Sequence, residues 1–243
     1  MTPVEPARGG LDHGTHLPGT VVLPVDTPQG EARLHVDAAV RSVPRRGTLV
    51  MGHGAGGGVE ARDLVALARR LPSHGFDVVR VEQPWRVAGR RVAVSPPRLD
   101  SAWQHVLSSL DRRDIDTCRL VVGGRSAGAR VAFRTASPEA VLGVLALAFP
   151  LHPPGDPERS RNHEIGSKTP ALIVQGDQDP FGRPAEFRPL PATVGIAVIP
   201  GADHSFATTN RAPITQWEAE ELIVDHCLAW LLTLIAREST DGC

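Results

Sequence analysis

Leu120-Val121-Val122-Gly123-Gly124-Arg125-Ser126-Ala127-Gly128-Ala129-Arg130-Val131-Ala132 is the stretch on which the reading of the chain turns. A short valine-rich run of this kind reads as a buried parallel strand, and the alanine-rich segment after it reads as a helix. Between them stands Gly124-Arg125-Ser126-Ala127-Gly128, a Gly-x-Ser-x-Gly turn in the strand-turn-helix setting that a nucleophile elbow requires. So tight a turn forces its serine into a strained backbone conformation, and a side chain at Gly124 or Gly128 would collide with the neighbouring strand and helix. Ser126 is therefore expected to stand exposed above the sheet, at a helix N-terminus whose N–H groups favour developing negative charge. Gly-x-Ser-x-Gly by itself also describes an ordinary strand-to-helix turn with a capping serine, so the assignment depends on what the rest of the chain supplies.

Upstream, Thr20 to Val25 and Ala32 to Val40 read as an antiparallel edge pair joined by Pro28-Gln29-Gly30. Thr48 to Met51 is a short buried strand that runs into His53-Gly54-Ala55-Gly56-Gly57-Gly58. Helical spacing of Leu64, Leu67, Ala68 and Leu71 predicts a helix over Glu60 to Leu71, closed by His74-Gly75. Phe76 to Val81 is the next strand, followed by a loop rich in proline and arginine, Pro84 to Arg98, and a helix from about Leu99 to Leu110.

Downstream of the elbow, Val141 to Phe149, Pro170 to Gln175 and Val194 to Ile199 read as further strands. The last helix is expected to start near Pro213, with Ile223, Cys227, Trp230, Leu231 and Leu234 on one face. Strands alternating with helices predict an α/β fold, a mostly parallel twisted sheet covered by helices on both faces.

Serine needs a base, and the base needs an orienting carboxylate. Both must come from loops at the carboxyl edge of later strands, because that is where Ser126 emerges. Gly176-Asp177-Gln178-Asp179-Pro180 follows one such strand and Gly201-Ala202-Asp203-His204-Ser205-Phe206 the other. The candidates are therefore Asp179 and His204. Asp177, nearer its strand end, is the weaker carboxylate and the better turn-former. An acyl-transfer oxyanion also needs two N–H donors. Ala127 supplies the first, and the glycine-rich loop the second, at Ala55 or, failing that, Gly56. That loop lacks the Gly-Lys-Ser/Thr of a phosphate-binding loop and the spacing of a dinucleotide fingerprint.

At 243 residues the chain is long enough for one well-packed domain, expected over residues 19–237 between a loose N-terminal arm, 1–18, and a short tail, 238–243. Lys plus Arg number 26 against 27 Asp plus Glu, a formal net charge of −1, so no strong field draws the protein to nucleic acid or an anionic membrane. Lys168 is the only lysine and tyrosine is absent, a bias typical of a GC-rich genome. Cys118, Cys227 and Cys243 are odd in number and widely spaced, which argues against a disulfide framework or a zinc site and for a reducing compartment. No His-Glu-x-x-His or similar spacing points to a metal, and no cofactor is expected. Residues 1–18 lack the apolar segment of a signal peptide, and the most apolar run, Cys227 to Ala236, is far short of the roughly 20 residues that span a bilayer. A soluble, cytoplasmic protein is expected.

The order Ser126, Asp179, His204 is the chain order of the α/β-hydrolases, and the chain resembles the small, lidless members near the dienelactone hydrolases. It is most similar to the group containing testis-expressed protein 30 and the hydrolase-like domain of the NSL-complex regulatory subunit 3 of a histone acetyltransferase. The similar stretches are His53-Gly54-Ala55-Gly56-Gly57, Ser73-His74-Gly75-Phe76, Gly124 to Gly128, Phe149-Pro150-Leu151-His152-Pro153-Pro154-Gly155 and Gly201 to Ser205. The loop Gln83 to Arg98 also resembles bacterial members. The resemblance implies a serine-hydrolase framework carried by Ser126, Asp179 and His204, and it implies no substrate. One member type is a scaffold subunit, so a binding protein on the same fold is the alternative.

Only Pro150 to Thr169 occupy the place where many lipases insert a lid, so an open site for a small acyl substrate is expected. His152 and His163 lie in that segment; His152 either approaches the leaving group or ties down the proline-rich loop. Arg125, Arg86, Arg90 and Arg91 lie near the catalytic edge and either form an anion-binding wall or are solvated and paired with carboxylates.

Overall fold

In a computed structural model of the chain, residues 17–166, 168–187 and 189–238 are described. The expected arm thus lies almost wholly outside the described residues, as do Cys243 and all of the tail beyond residue 238. Among them run eight strands, β1 (Val21–Thr27), β2 (Gly30–Asp37), β3 (Gly47–Gly52), β4 (Phe76–Glu82), β5 (Leu120–Arg125), β6 (Gly143–Leu147), β7 (Ala171–Gly176) and β8 (Val194–Ile199). They form one sheet in the order β1-β2-β4-β3-β5-β6-β7-β8. The β1–β2 and β2–β4 pairs are antiparallel, and every later pair is parallel.

Successive residues of a strand face opposite sides of the sheet, and the core divides accordingly. Leu49 and Met51 of β3 point to the side covered by α1 (Arg62–Arg70) and α5 (Gln216–Glu238), where Leu64, Leu67, Ile223, Cys227 and Leu231 are buried. Val50 points to the side covered by α3 (Pro96–Leu107) and α4 (Ala127–Thr135), against Trp103, Val106, Val131 and Ala132. Burial on both faces is why β3 to β7 read as continuous apolar runs rather than alternating ones. Trp230, expected on the buried face of α5, is only partly buried at the margin of the first cluster.

Element ends differ from expectation for identifiable reasons. The last helix begins at Gln216, not near Pro213, because Thr215 and Glu218 form a capping box. Glu218 N–H donates to Thr215 Oγ1 at 3.2 Å and Thr215 N–H to Glu218 Oε2 at 2.7 Å. The helix expected at Leu99 starts at Pro96, since the two prolines occupy a first turn whose N–H groups have no intrahelical partner anyway, and it ends at Leu107. The loop before it contains a single helical turn, α2 (Pro84–Val87). The strand expected to end at Phe149 stops at Leu147, where Ala148 takes a positive φ of 46°.

Candidate active site

β5 delivers Ser126 to the carboxyl edge of the sheet at φ 53°, ψ −113°, a region that costs a non-glycine residue about 1–3 kcal/mol. The surroundings impose it. Ser126 N–H donates to Leu147 O at 2.9 Å, and α4 lies so close to β3 that a Cβ on Gly128 would stand 2.3 Å from Gly52 O. A Cβ on Gly124 would meet Gly52 O and the Gly128 carbonyl carbon, each at 2.6 Å. These are the strand and helix collisions that the motif predicts. Ser126 is half-buried rather than fully exposed, because Gly54 and the His204 loop close in on its flanks.

The loops after β7 and β8 bring Asp179 and His204 to that edge. Ser126 Oγ lies 2.9 Å from His204 Nε2, and His204 Nδ1 lies 2.8 Å from Asp179 Oδ2. With Nδ1–H donating to the carboxylate, Nε2 is free to accept the serine proton. Asp179 is 1% exposed, and its orientation is over-determined. Phe181 N–H donates to its Oδ1 at 2.8 Å, and buried Gln175 donates through Nε2 to its Oδ2 at 2.8 Å and to Gly182 O at 2.8 Å. Phe181 also stacks on the His204 ring, centroids 4.1 Å apart. Asp177 instead accepts from Gly201 N–H at 2.7 Å and shapes the turn.

On the other side of Ser126, Ala55 and Ala127 line one small cavity together with Gly54 and Gly128, whereas Gly56 is exposed outside it. His53, at the head of this loop, is buried. Its Nδ1–H donates to Gly54 O at 2.8 Å, and its Nε2 accepts from Gln83 N–H at 3.0 Å. Burial holds its pKa below the ordinary histidine value, opposed chiefly by the bond to Gly54, so the ring is neutral. In a trans peptide the C=O and the next N–H point in opposite directions. Fixing Gly54 O toward His53 therefore aims the Ala55 N–H the other way. At the far end of the loop, fully buried Arg80 donates through Nη1 to Val59 O at 3.0 Å while its Nη2 meets Asp37 Oδ2 at 3.0 Å.

Neither His53 nor Arg80 is given a role of its own in the sequence reading of the site, nor are Gln175 and Phe181. The signal at His53 was its place directly before the glycines. For the others the linear sequence carries none.

Two of the four arginines, Arg125 and Arg86, are paired with carboxylates. Arg125, read as a possible wall for anions, is turned away from that task. Its Nε lies 3.2 Å from Asp63 Oδ2, and its Nη2 donates to His204 O at 2.8 Å, so it clamps the base loop to α1. Asp63 is fully buried, and burial raises its pKa against the opposing pull of Arg125. The Asp63 contact is an ion pair without hydrogen-bond geometry, which leaves Oδ2 with no hydrogen-bond donor among the described residues. Arg86 pairs with Glu60 at 3.3 Å. Arg90 lines a separate cavity with Arg98, Glu31 and Pro28, and Arg91 is exposed.

His152 is buried and ties down its own loop: Nδ1 faces Pro153 O at 2.8 Å, Nε2 faces Glu186 Oε1 at 3.3 Å, and its N–H donates to Phe181 O. His163 is exposed in a 3-10 turn, Asn162–Glu164. That turn is fastened to α4, where Arg130 and Arg134 both bind Glu164. Among the described residues no group of His, Cys, Asp or Glu is arranged to hold a metal ion, and no helix is long and apolar enough to cross a membrane.

A parallel sheet with a strained serine at the elbow after β5, and histidine and aspartate on the loops after β8 and β7, defines the α/β-hydrolase fold. Residues 45–232 match the family model described as alpha/beta hydrolase domain, and the chain belongs to that family. Among solved structures it is similar to XC6422 from Xanthomonas campestris, described as an α/β serine hydrolase without lid (21% identity, TM-score 0.65, covering 88% of this chain and 97% of that one). It is also similar to an α/β serine hydrolase homologue from Coxiella burnetii (20%, TM-score 0.67, 85% and 96%). A third is Est1E from Butyrivibrio proteoclasticus (17%, TM-score 0.67, 88% and 99%).

Proposed function

We propose that this protein is a serine hydrolase, a carboxylesterase, thioesterase or lactonase, that cleaves a small acyl substrate through an acyl-Ser126 intermediate. The observation that carries this reading is the unbroken line of hydrogen bonds from Ser126 Oγ through His204 to buried Asp179. His204 Nε2 takes the hydroxyl proton as Oγ bonds to the acyl carbon, and the carbonyl π pair moves onto oxygen. That oxyanion accepts hydrogen bonds from the N–H groups of Ala127 and Ala55. Asp179 stabilises the imidazolium. As the intermediate collapses, the bond to the leaving group breaks and His204 Nε2–H protonates that group; water then repeats the sequence on the acyl-enzyme. The chemistry calls on no metal or cofactor.

The fastened segment between β6 and β7, with a 3-10 turn as its one helical element among the described residues, favours an open site for a soluble small molecule and kinship with lidless, dienelactone-hydrolase-like members. Near-neutral charge favours neither nucleic acid nor membrane as a partner, and the cysteine pattern favours the cytoplasm. A scaffold role would be marked by an elbow sealed from solvent or a displaced His204; Ser126 keeps part of its surface and His204 is within 2.9 Å of it.

The test is labelling by a fluorophosphonate probe, which reports an activated serine without requiring the substrate. The native protein should label, and Ser126→Ala and His204→Ala should not. Folded native protein that fails to label overturns the assignment.

A further inference from the structure

The cavity beside the two oxyanion donors also says how large an acyl group the site admits, an inference that rests on Ser126 being the acylated residue. In the tetrahedral intermediate the leaving group must lie where His204 Nε2 can protonate it, on the Phe181 side. The acyl substituent takes the remaining direction, away from His204, and there lies the cavity shared by Ala55 and Ala127. Trp85, Leu99 and Val131, all buried, line it as well, together with Ala93, His53 and Gln83. Only about 10 Å³ of it is open to the centre of a water-sized sphere. About that much volume is needed to admit a single water molecule, so the cavity takes at most a one-carbon group and no propyl chain.

Trp85 is the decisive wall. It is 4% exposed, packs edge-on against His53 with ring centroids 5.3 Å apart, and also lines a second cavity. That second cavity has about 520 Å³ open to the same sphere and carries Arg90 and Arg98. The indole is thus shared by a small cavity and a roomy cleft lined partly by arginine.

We propose that Trp85 is a specificity-determining residue that restricts the enzyme to acetyl-sized acyl groups, with esters of acetic acid as the substrate class. Close packing makes a misplaced methylene costly, typically about 10- to 200-fold in discrimination.

The experiment measures kcat/KM for p-nitrophenyl acetate, butyrate and hexanoate with the native protein, Trp85→Ala and Leu99→Ala, while a separate portion of each is tested for labelling by the fluorophosphonate probe, which blocks Ser126. The native protein should prefer acetate over butyrate by at least about tenfold. Leu99→Ala should narrow that ratio, and Trp85→Ala, which removes the larger wall of the small cavity, should narrow it further. Should Trp85→Ala fail to fold, the native ratio and Leu99→Ala still decide. Native protein that labels yet turns over hexanoate as well as acetate overturns the size limit while leaving the Ser126 reading intact. Labelling with a strong acetate preference that neither variant changes overturns the role of these walls. No labelling at all overturns the Ser126 reading, and the size limit with it.

Discussion

Replacing His53 by Phe keeps a ring against Trp85 and removes two hydrogen bonds, which makes it a clean probe of the oxyanion loop. The ring donates to Gly54 O and accepts from Gln83 N–H. Each bond contributes about 0.5–1.5 kcal/mol net, and a buried N–H left without a partner costs about 1–3 kcal/mol. Gln83 is buried, so the substitution should destabilise the protein by about 2–4 kcal/mol, within the usual 5–15 kcal/mol of a folded domain. The effect on rate follows from the Gly54–Ala55 peptide. Without its anchor this plane is free to turn the Ala55 N–H away from the oxyanion, and loss of one such donor costs about 10²–10³ in kcat. KM should change little, because the lost interaction is made in the transition state.

Denaturant unfolding and steady-state kinetics on p-nitrophenyl acetate measure both effects. The stability loss should also depend on pH with a definite sign. The native pKa of His53 is depressed, so between the unfolded value near 6.5 and the native one the unfolded chain binds more protons. The stabilisation from neutral His53 is complete above about 6.5 and is lost as pH falls through the native pKa. The native protein should therefore lose its advantage over His53→Phe on acidification. A folded His53→Phe protein with kcat within about twofold of native, against the 10²–10³ expected of a lost donor, would refute the reasoning.

Asp179→Asn should lower kcat by about 10⁴, because a carboxamide no longer enforces the His204 tautomer; pre-steady-state acylation should show the same drop. Gly128→Ala puts a Cβ 2.3 Å from Gly52 O, so α4 must back away from β3, with a loss of about 1–3 kcal/mol or more and of fluorophosphonate labelling. Arg125→Met leaves buried Asp63 without its counter-charge, a loss of about 3–5 kcal/mol in thermal or denaturant unfolding. Because the native pKa of Asp63 is raised, the neutral acid is the form the fold favours; the variant should regain stability as pH falls through that pKa toward the unfolded value. An Arg125→Met protein of native stability would show that Asp63 is neutral already.

What the chain displays in one dimension is its local chemistry. The valine run into Gly124-Arg125-Ser126-Ala127-Gly128 specifies a strand, a turn only glycine can line, and a helix, all within thirteen residues. Asp179 and His204 were legible because each follows an apolar strand, and parallel strands deliver their loops to one edge. Even the missed start of α5 was written locally, in Thr215 and Glu218. Thr215 lies just two residues beyond a proline that is itself a good first-turn residue.

Which side chains meet across the fold was another matter. Arg125 sits beside the nucleophile in sequence, yet its partners are Asp63 and the His204 carbonyl, from segments that only the packing of α1 and the β8 loop brings within reach. Arg90 and Trp85 are five residues apart, yet Trp85 lines both the cleft that holds Arg90 and the small cavity of Ala55 and Ala127, which Arg90 does not reach. The sequence by itself determined the order of elements, the elbow and the loops that carry Asp179 and His204, because these follow from period, turn chemistry and the one edge a parallel sheet offers. Only the tertiary structure decided the direction of the Ala55 N–H, the partners of Arg125 and Arg86, and the size of the cavity that Ala55 and Ala127 line. Those depend on angstrom-scale contacts between residues far apart in the chain, which no local pattern encodes.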